Sequence, residues 1–126
     1  MGGEYIKVGD LKVYQLAVEL GGLAWGYYER LDWLDKKTMG SQFITAVDSI
    51  AANIAEGYGR FHYLDRIKFY YNSRGSLLES KHWIFTLCKR NKISQNEFDA
   101  FLKKADEVHY ELNKYIKSCY SSKDNS

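Results

Sequence analysis

Polar side chains fall at helical spacing in SIAANIAEGYGRF, residues Ser49 to Phe61. Ser49, Asn53 and Glu56 offer a hydroxyl, a carboxamide and a carboxylate along one side of a helix, beside Gly57, Gly59 and Arg60. Such a row next to a glycine turn can line an active site, touch a ligand, or bolt helices or subunits together through hydrogen bonds. A second row, SRGSLLES, puts Arg74, Gly75, Ser76 and Glu79 on a later helix. Arg74 could offer its planar guanidinium to a carboxylate across a seam, while Gly75 and Ser76 would let backbones approach. Ser49, Asn53 and Glu56 lie off the apolar centre of their helix, at a seam rather than inside. The reading adopted for Ser49, Asn53, Glu56, Gly57, Arg74, Gly75, Ser76 and Glu79 is therefore a structural bolt.

Two further spacings point to metal chemistry. Glu79-Ser-Lys-His82 has the Glu-x-x-His form of a di-metal carboxylate site, and Asp106-Glu-Val-His109 nearly does. Direction argues against both. At about 100° per residue, Glu79 points some 150° from the middle of its expected core stripe and Asp106 about 120° from its own. No metal and no cofactor is expected. GxSxG, HExxH, Walker and GxGxxG motifs are absent. Cys88 has no neighbouring histidine to activate it. An enzyme is the weakest class.

The elements that must carry these residues are helices. The chain has 126 residues, no proline, 45% apolar and 27% charged residues, which suits one soluble domain spanning 1–126 and long uninterrupted helices. Four are expected, over about 11–34, 39–56, 64–90 and 95–118. Asp10 should cap the first, whose stripe is Val13, Leu16, Ala17, Leu20, Ala24, Tyr27, Leu31 and Leu34. DKKTMG should be a polar turn, with Thr38 capping a second helix that carries Phe43, Val47, Ile50 and Ile54 inward and stops at Gly57. The third should bury Ile67, Tyr71, Leu78, Phe85 and Cys88. Ser94 to Glu97, SQNE, is a capping box that opens the fourth, with Phe98, Phe101, Leu102, Ala105, Val108, Leu112, Tyr115 and Ile116 inward. The tail SSKDNS should fray. Short turns between four helices favour an all-α, up-down-up-down bundle.

Two helices carry a second apolar face: Tyr14, Val18 and Trp25 with Gly21 on the first, and Phe69, Trp83 and Leu87 with Ser76 on the third. A monomer needs one buried stripe per helix, so these faces suggest self-association, the alternative being loops of the same chain packed over them. Gly21, Gly22, Gly26 and Gly75 would fit close backbone approach there.

Charge is unevenly spread. Residues 57–92 hold eight Lys/Arg against two Asp/Glu, a net of +6 within a chain whose total is +2. Arg60, Arg66, Lys68, Lys89, Arg90 and Lys92 are interleaved with Tyr58, Phe61, His62, Tyr63, Tyr70 and Tyr71, a pattern suited to gripping single-stranded RNA or DNA. The competing reading gives these cations to helix ends and internal pairs. Cys88 and Cys119 read as two reduced core thiols. The N-terminus MGGEYIKVGD has no apolar signal core and no run approaches a membrane span, so a cytoplasmic protein is expected.

DLKVYQLAVEL, DSIAANIAEGYGRF and SRGSLLES together resemble the bacterial 23S rRNA intervening-sequence protein family, over roughly residues 10 to 118. The resemblance implies an all-helical bundle assembled as a ring-like homopentamer. A group related in fold, the accessory variability proteins of diversity-generating retroelements, comprises basic pentamers that bind nucleic acid and a reverse transcriptase. The expected function is a non-enzymatic homo-oligomeric scaffold that contacts RNA or DNA through a basic face. The alternative is a protein–protein adaptor without nucleic-acid binding.

Overall fold

A computed structural model describes residues 7–124 of the chain. Within them lie four long helices and no strand: α1 (Lys12–Glu29), α2 (Ser41–Tyr58), α3 (Tyr63–Lys89) and α4 (Gln95–Asp124). The N-terminal MGGEYI and the final Asn125 and Ser126 of the expected 1–126 domain lie outside the described residues. Helix α1 packs on α2 and α4, and α3 packs on the same two. Side-chain pairs run in opposite order along α1 and α4, from Lys12–Glu111 through Glu19–Lys104 to Arg30–Glu97.

The core follows from sequence periodicity. Helix α1 buries Val13, Ala17, Leu20, Ala24 and Tyr27, and α2 buries Phe43, Ala46, Val47, Ile50 and Ile54. From α4 come Phe101, Ala105, Val108, Leu112, Ile116 and Cys119. The rings of Phe43 and Phe101 meet at 5.3 Å between α2 and α4. Spacings of three and four place these residues on one face of each helix, where removing them from water drives packing.

Helix α3 departs from expectation. It buries Ile67, Tyr70, Ser73, Leu77, Ser80, Ile84 and Leu87, whereas Tyr71, Leu78 and Phe85 are exposed. The expected stripe was rotated by about one residue. Apolar side chains occur all around this helix, and two core positions are serines, so periodicity alone misplaces its inner face. Each serine hydroxyl donates to a main-chain carbonyl, Ser80 to Leu77 at 2.7 Å and Ser73 to Ile50 of α2 at 2.8 Å. Burial without a desolvation penalty follows.

The ends also differ. Leu11, not Asp10, is the N-cap residue of α1, and α1 stops at Glu29, leaving Leu34 exposed. DKKTMG is helical rather than a turn. Asp32 accepts from the Asp35 amide at 2.9 Å, and Trp33–Asp35 runs through a π-helical stretch, Lys36–Gly40, directly into α2. Thr38 donates to the Leu34 carbonyl and caps nothing. The α3 end is closed by Asn91 at φ 60°, with Asn91 N–H donating to the Cys88 carbonyl and Lys92 N–H to that of Leu87. That pairing is a Schellman motif, with asparagine tolerating the left-handed position. The capping box forms as expected: Ser94 N–H donates to Glu97 Oε1 at 2.9 Å, and Glu97 N–H to Ser94 Oγ at 3.1 Å. The tail does not fray at once, since α4 continues through Asp124.

Candidate functional site

The expected bolt does not form within the chain. Ser49 Oγ donates to the Thr45 carbonyl and Asn53 Nδ2 to that of Ser49, so both side chains bond back to their own helix. Glu56 pairs with Arg60 on its own turn at 3.1 Å. Arg74 points toward α4, where its Nη1 donates to Asn113 Oδ1 at 2.8 Å while the guanidinium lies over Tyr71. Ser76 is half-buried, Gly75 and Glu79 are exposed, and none of the three bonds to Ser49, Asn53 or Glu56. The α2–α3 seam is held instead by Ser73 and by Gly57. Helix α2 passes through Gly57 to Tyr58, and a Cβ on Gly57 would stand 2.8 Å from Tyr70 Cε1 and 3.0 Å from Phe69 Cβ. Gly57 is therefore a contact point between helices, and Gly59 is the C-cap residue. Glycine followed by one more helical residue looks like a stop in sequence; only the packing distinguishes the two.

The basic residues separate into two groups. Arg60, Arg66 and Lys68 lie where α3 begins, and Lys89, Arg90 and Lys92 where it ends. Twenty-seven residues at about 1.5 Å each put roughly 40 Å between them, so they form no single patch on one chain. At the far end Lys92 Nζ is held 2.9 Å from buried Asp35, which raises its proton affinity and makes it an internal partner. Lys89 leans over Phe85, and Arg90 remains exposed. At the near end Arg66 Nε donates to the Arg60 carbonyl at 2.6 Å, and Arg60 covers Phe69. Phe61 is 88% exposed and stands edge-on to His62. Cations and an uncovered ring meet there.

The same end holds a cluster of phenols. Tyr58, Tyr63, Tyr70 and Tyr115 line a cavity with Arg66 and Cys119. Burial and the neighbouring Cys119, Tyr115 and Tyr58 push the Tyr70 phenol up to about 12. Cys119 is also pushed up by burial, which keeps it a thiol. Both cysteines are free. His109 is pushed down, first by burial and then by Lys81 and Arg74, so it stays neutral more readily than an open imidazole. Among the described residues no group of three or more His, Cys, Asp or Glu could hold a metal ion, and no helix is long and apolar enough to cross a membrane.

The outer face of α3 falls differently from expectation, whereas that of α1 does not. On α1, Val18 and Trp25 are exposed, with Trp25 stacked on Tyr28 at 5.2 Å, and Tyr14 is half-buried. On α3, Leu87 is wholly in the core, and Phe69 and Trp83 are half-buried; the Trp83 Nε1–H is enclosed without an acceptor. The uncovered row is Leu64, Tyr71, Leu78 and Phe85, one every seventh residue, with Leu64 65% and Leu78 55% exposed. Gly75, beside that row, and Gly22 and Gly26 on α1 have nothing within 4 Å of where a Cβ would stand. No backbone of the same chain approaches them closely.

The family model described as 23S rRNA-intervening sequence protein matches residues 9–114. The chain belongs to that family. A crystal structure at 1.70 Å of a protein with unknown function from the S23 ribosomal protein family of Bacteroides thetaiotaomicron VPI-5482 has a similar fold. Its TM-score is 0.77 at 21% identity, covering 83% of this chain and 98% of the other. No curated protein matches the chain. For this 23S rRNA-intervening sequence family protein, the raised Tyr70 phenol gives a pH expectation. The folded state holds that proton more tightly than the unfolded chain, so the contribution is whole below about pH 10, declines as pH rises toward about 12 and is lost above it. Urea midpoints should fall more steeply between about pH 9 and about pH 11 in the wild type than in Tyr70→Phe, which cannot titrate. Equal slopes would remove Tyr70 as a source of alkaline instability.

Proposed function

We propose that this protein is a non-enzymatic helical scaffold, an up-down-up-down bundle that assembles with copies of itself and holds single-stranded RNA or DNA. The observation that carries the nucleic-acid reading is the gathering of Arg60, Arg66 and Lys68 where α3 begins, with Arg66 held on the Arg60 carbonyl, Arg60 and Lys68 both over the Phe69 ring, and the bare ring of Phe61 next to Arg60 in the chain. Guanidinium and ammonium groups neutralise phosphates, and an exposed ring gives a base a face to stack on. Self-association is supported by the exposed rows on α1 and α3, and the sequence resemblance favours five copies. Assembly would repeat the cationic end in each subunit and make binding multivalent.

Fluorescence anisotropy of a labelled single-stranded RNA across a salt series tests this reading. Affinity should fall linearly in log–log form as salt rises, at about 0.7 per phosphate contact. Binding that ignores salt, or none at low salt, would leave the adaptor reading, with the α3 row as its protein-docking face.

A further inference from the structure

We propose that the tyrosine-lined cavity beside Arg66 receives one unstacked base of the bound strand. This inference rests on the nucleic-acid reading above and adds a specific seat to it. The cavity measures about 150 Å³ and is walled by Tyr58, Tyr63, Arg66, Tyr70, Tyr115 and Cys119. At ~30 Å³ per water that is room for about five waters, well below the ~300 Å³ at which pockets for whole small ligands begin. A single planar ring fits such a volume, with its sugar and phosphate toward the mouth.

Arg66 belongs both to the cavity wall and to the basic cluster, and its Nε is fixed on the Arg60 carbonyl, which leaves the Nη groups to face a ligand. A base seated inside would thus carry its phosphate toward the Arg66 guanidinium. The walls suit a heterocycle. Aromatic faces stack on any base, and each phenol can donate or accept a hydrogen bond at the base edge. Those hydroxyls are not engaged elsewhere: among the described residues the tyrosine hydroxyl bonds are Tyr27 to the Glu97 carbonyl and Tyr71 with Tyr120. Burial holds the Tyr70 phenol protonated far above neutral pH, so it remains a donor. Tyr70 and Tyr115 sit edge to face at 6.3 Å, on two different helices, which makes the walls a fixed frame rather than a loop.

The test uses the full chain and two labelled strands of about a dozen nucleotides, one a homopolymer RNA and one of the same length with abasic sugars throughout. The base-bearing strand should bind about tenfold or more tighter, since stacking of each seated base adds to phosphate contact. Phe61 could also stack, so a cavity-filling variant separates the two sources. Cys119→Leu should erase most of the difference between the strands. If Cys119→Leu loses helicity, Tyr63→Leu on the half-buried rim serves instead, with the same expectation. A base preference that survives both changes overturns the cavity and assigns stacking to Phe61. Equal affinity of the wild type for the two strands overturns the cavity and the stacking role of Phe61 while leaving phosphate contact, and binding of neither strand overturns the parent reading whole.

Discussion

Under the proposed self-association, Leu78→Glu is expected to leave only 14.7-kDa monomers while keeping helicity intact. Leu78 sits mid-way along the row formed by Leu64, Tyr71 and Phe85, is 55% exposed and takes no part in the core. In a self-assembled scaffold that row is the part of α3 left for another subunit. Burying the exposed half of such a leucine contributes roughly 1–1.5 kcal/mol, and an unpaired carboxylate in its place adds a desolvation cost of about 2 kcal/mol or more. Together these amount to about a hundredfold or more in the association constant, at ~1.4 kcal/mol per tenfold. Light scattering on a sizing column reads the outcome. A wild type that is monomeric at every concentration would contradict self-association. Trp83→Glu is a poorer probe, because Trp83 is half-buried with its indole N–H enclosed, and the change would damage the fold as well.

Gly57→Val is expected to cost about 3 kcal/mol or more, a large part of the ~5–15 kcal/mol that holds a domain of this size. A Cβ there would lie 2.8 Å and 3.1 Å from two atoms of the Tyr70 ring and 3.0 Å from Phe69 Cβ. The ring is buried and the Phe69 Cβ moves only with its backbone, so neither yields cheaply. Gly57→Ala should be milder, because alanine returns about 1 kcal/mol of helix propensity against ~1–3 kcal/mol of overpacking. Urea unfolding would rank wild type, alanine and valine in that order. An unchanged valine variant would show that α2 and α3 can separate at this point without loss.

Much of the architecture was legible in sequence because three helices keep polar and apolar faces apart. Val13 to Tyr27 on α1, Phe43 to Ile54 on α2 and Phe101 to Ile116 on α4 fall on the expected inner faces, and SQNE marks the start of α4 to the residue. Helix α3 was not legible, since Leu64, Tyr71, Leu78 and Phe85 compete with Ile67, Tyr70, Leu77 and Ile84 for the name of core. The serines at 73 and 80 hide the true face by satisfying themselves on main-chain carbonyls, which composition cannot reveal. The same ambiguity placed Leu87 on an outer face although it is fully buried. For the candidate site, sequence named the cations and aromatic residues but merged two ends of one helix into a single patch. Chain order puts Arg66 and Lys89 in one charged segment; the length of α3 separates them. Asp32 as a cap and Asp35 as the partner of Lys92 were equally hidden, because both depend on how the connections between helices fold.

The central claim is that one end of this scaffold, not the whole basic segment, holds the strand. Anisotropy titrations with labelled single-stranded RNA test it through two paired variants, Arg60→Gln with Arg66→Gln, and Lys89→Gln with Arg90→Gln. Lys92 stays in place because it holds Asp35. The first pair should weaken binding by about tenfold or more and lower the log–log salt slope by about 1.4, at ~0.7 per lost phosphate contact, while the second leaves both nearly unchanged. Equal loss from the two pairs, or no loss from the first, would contradict the account.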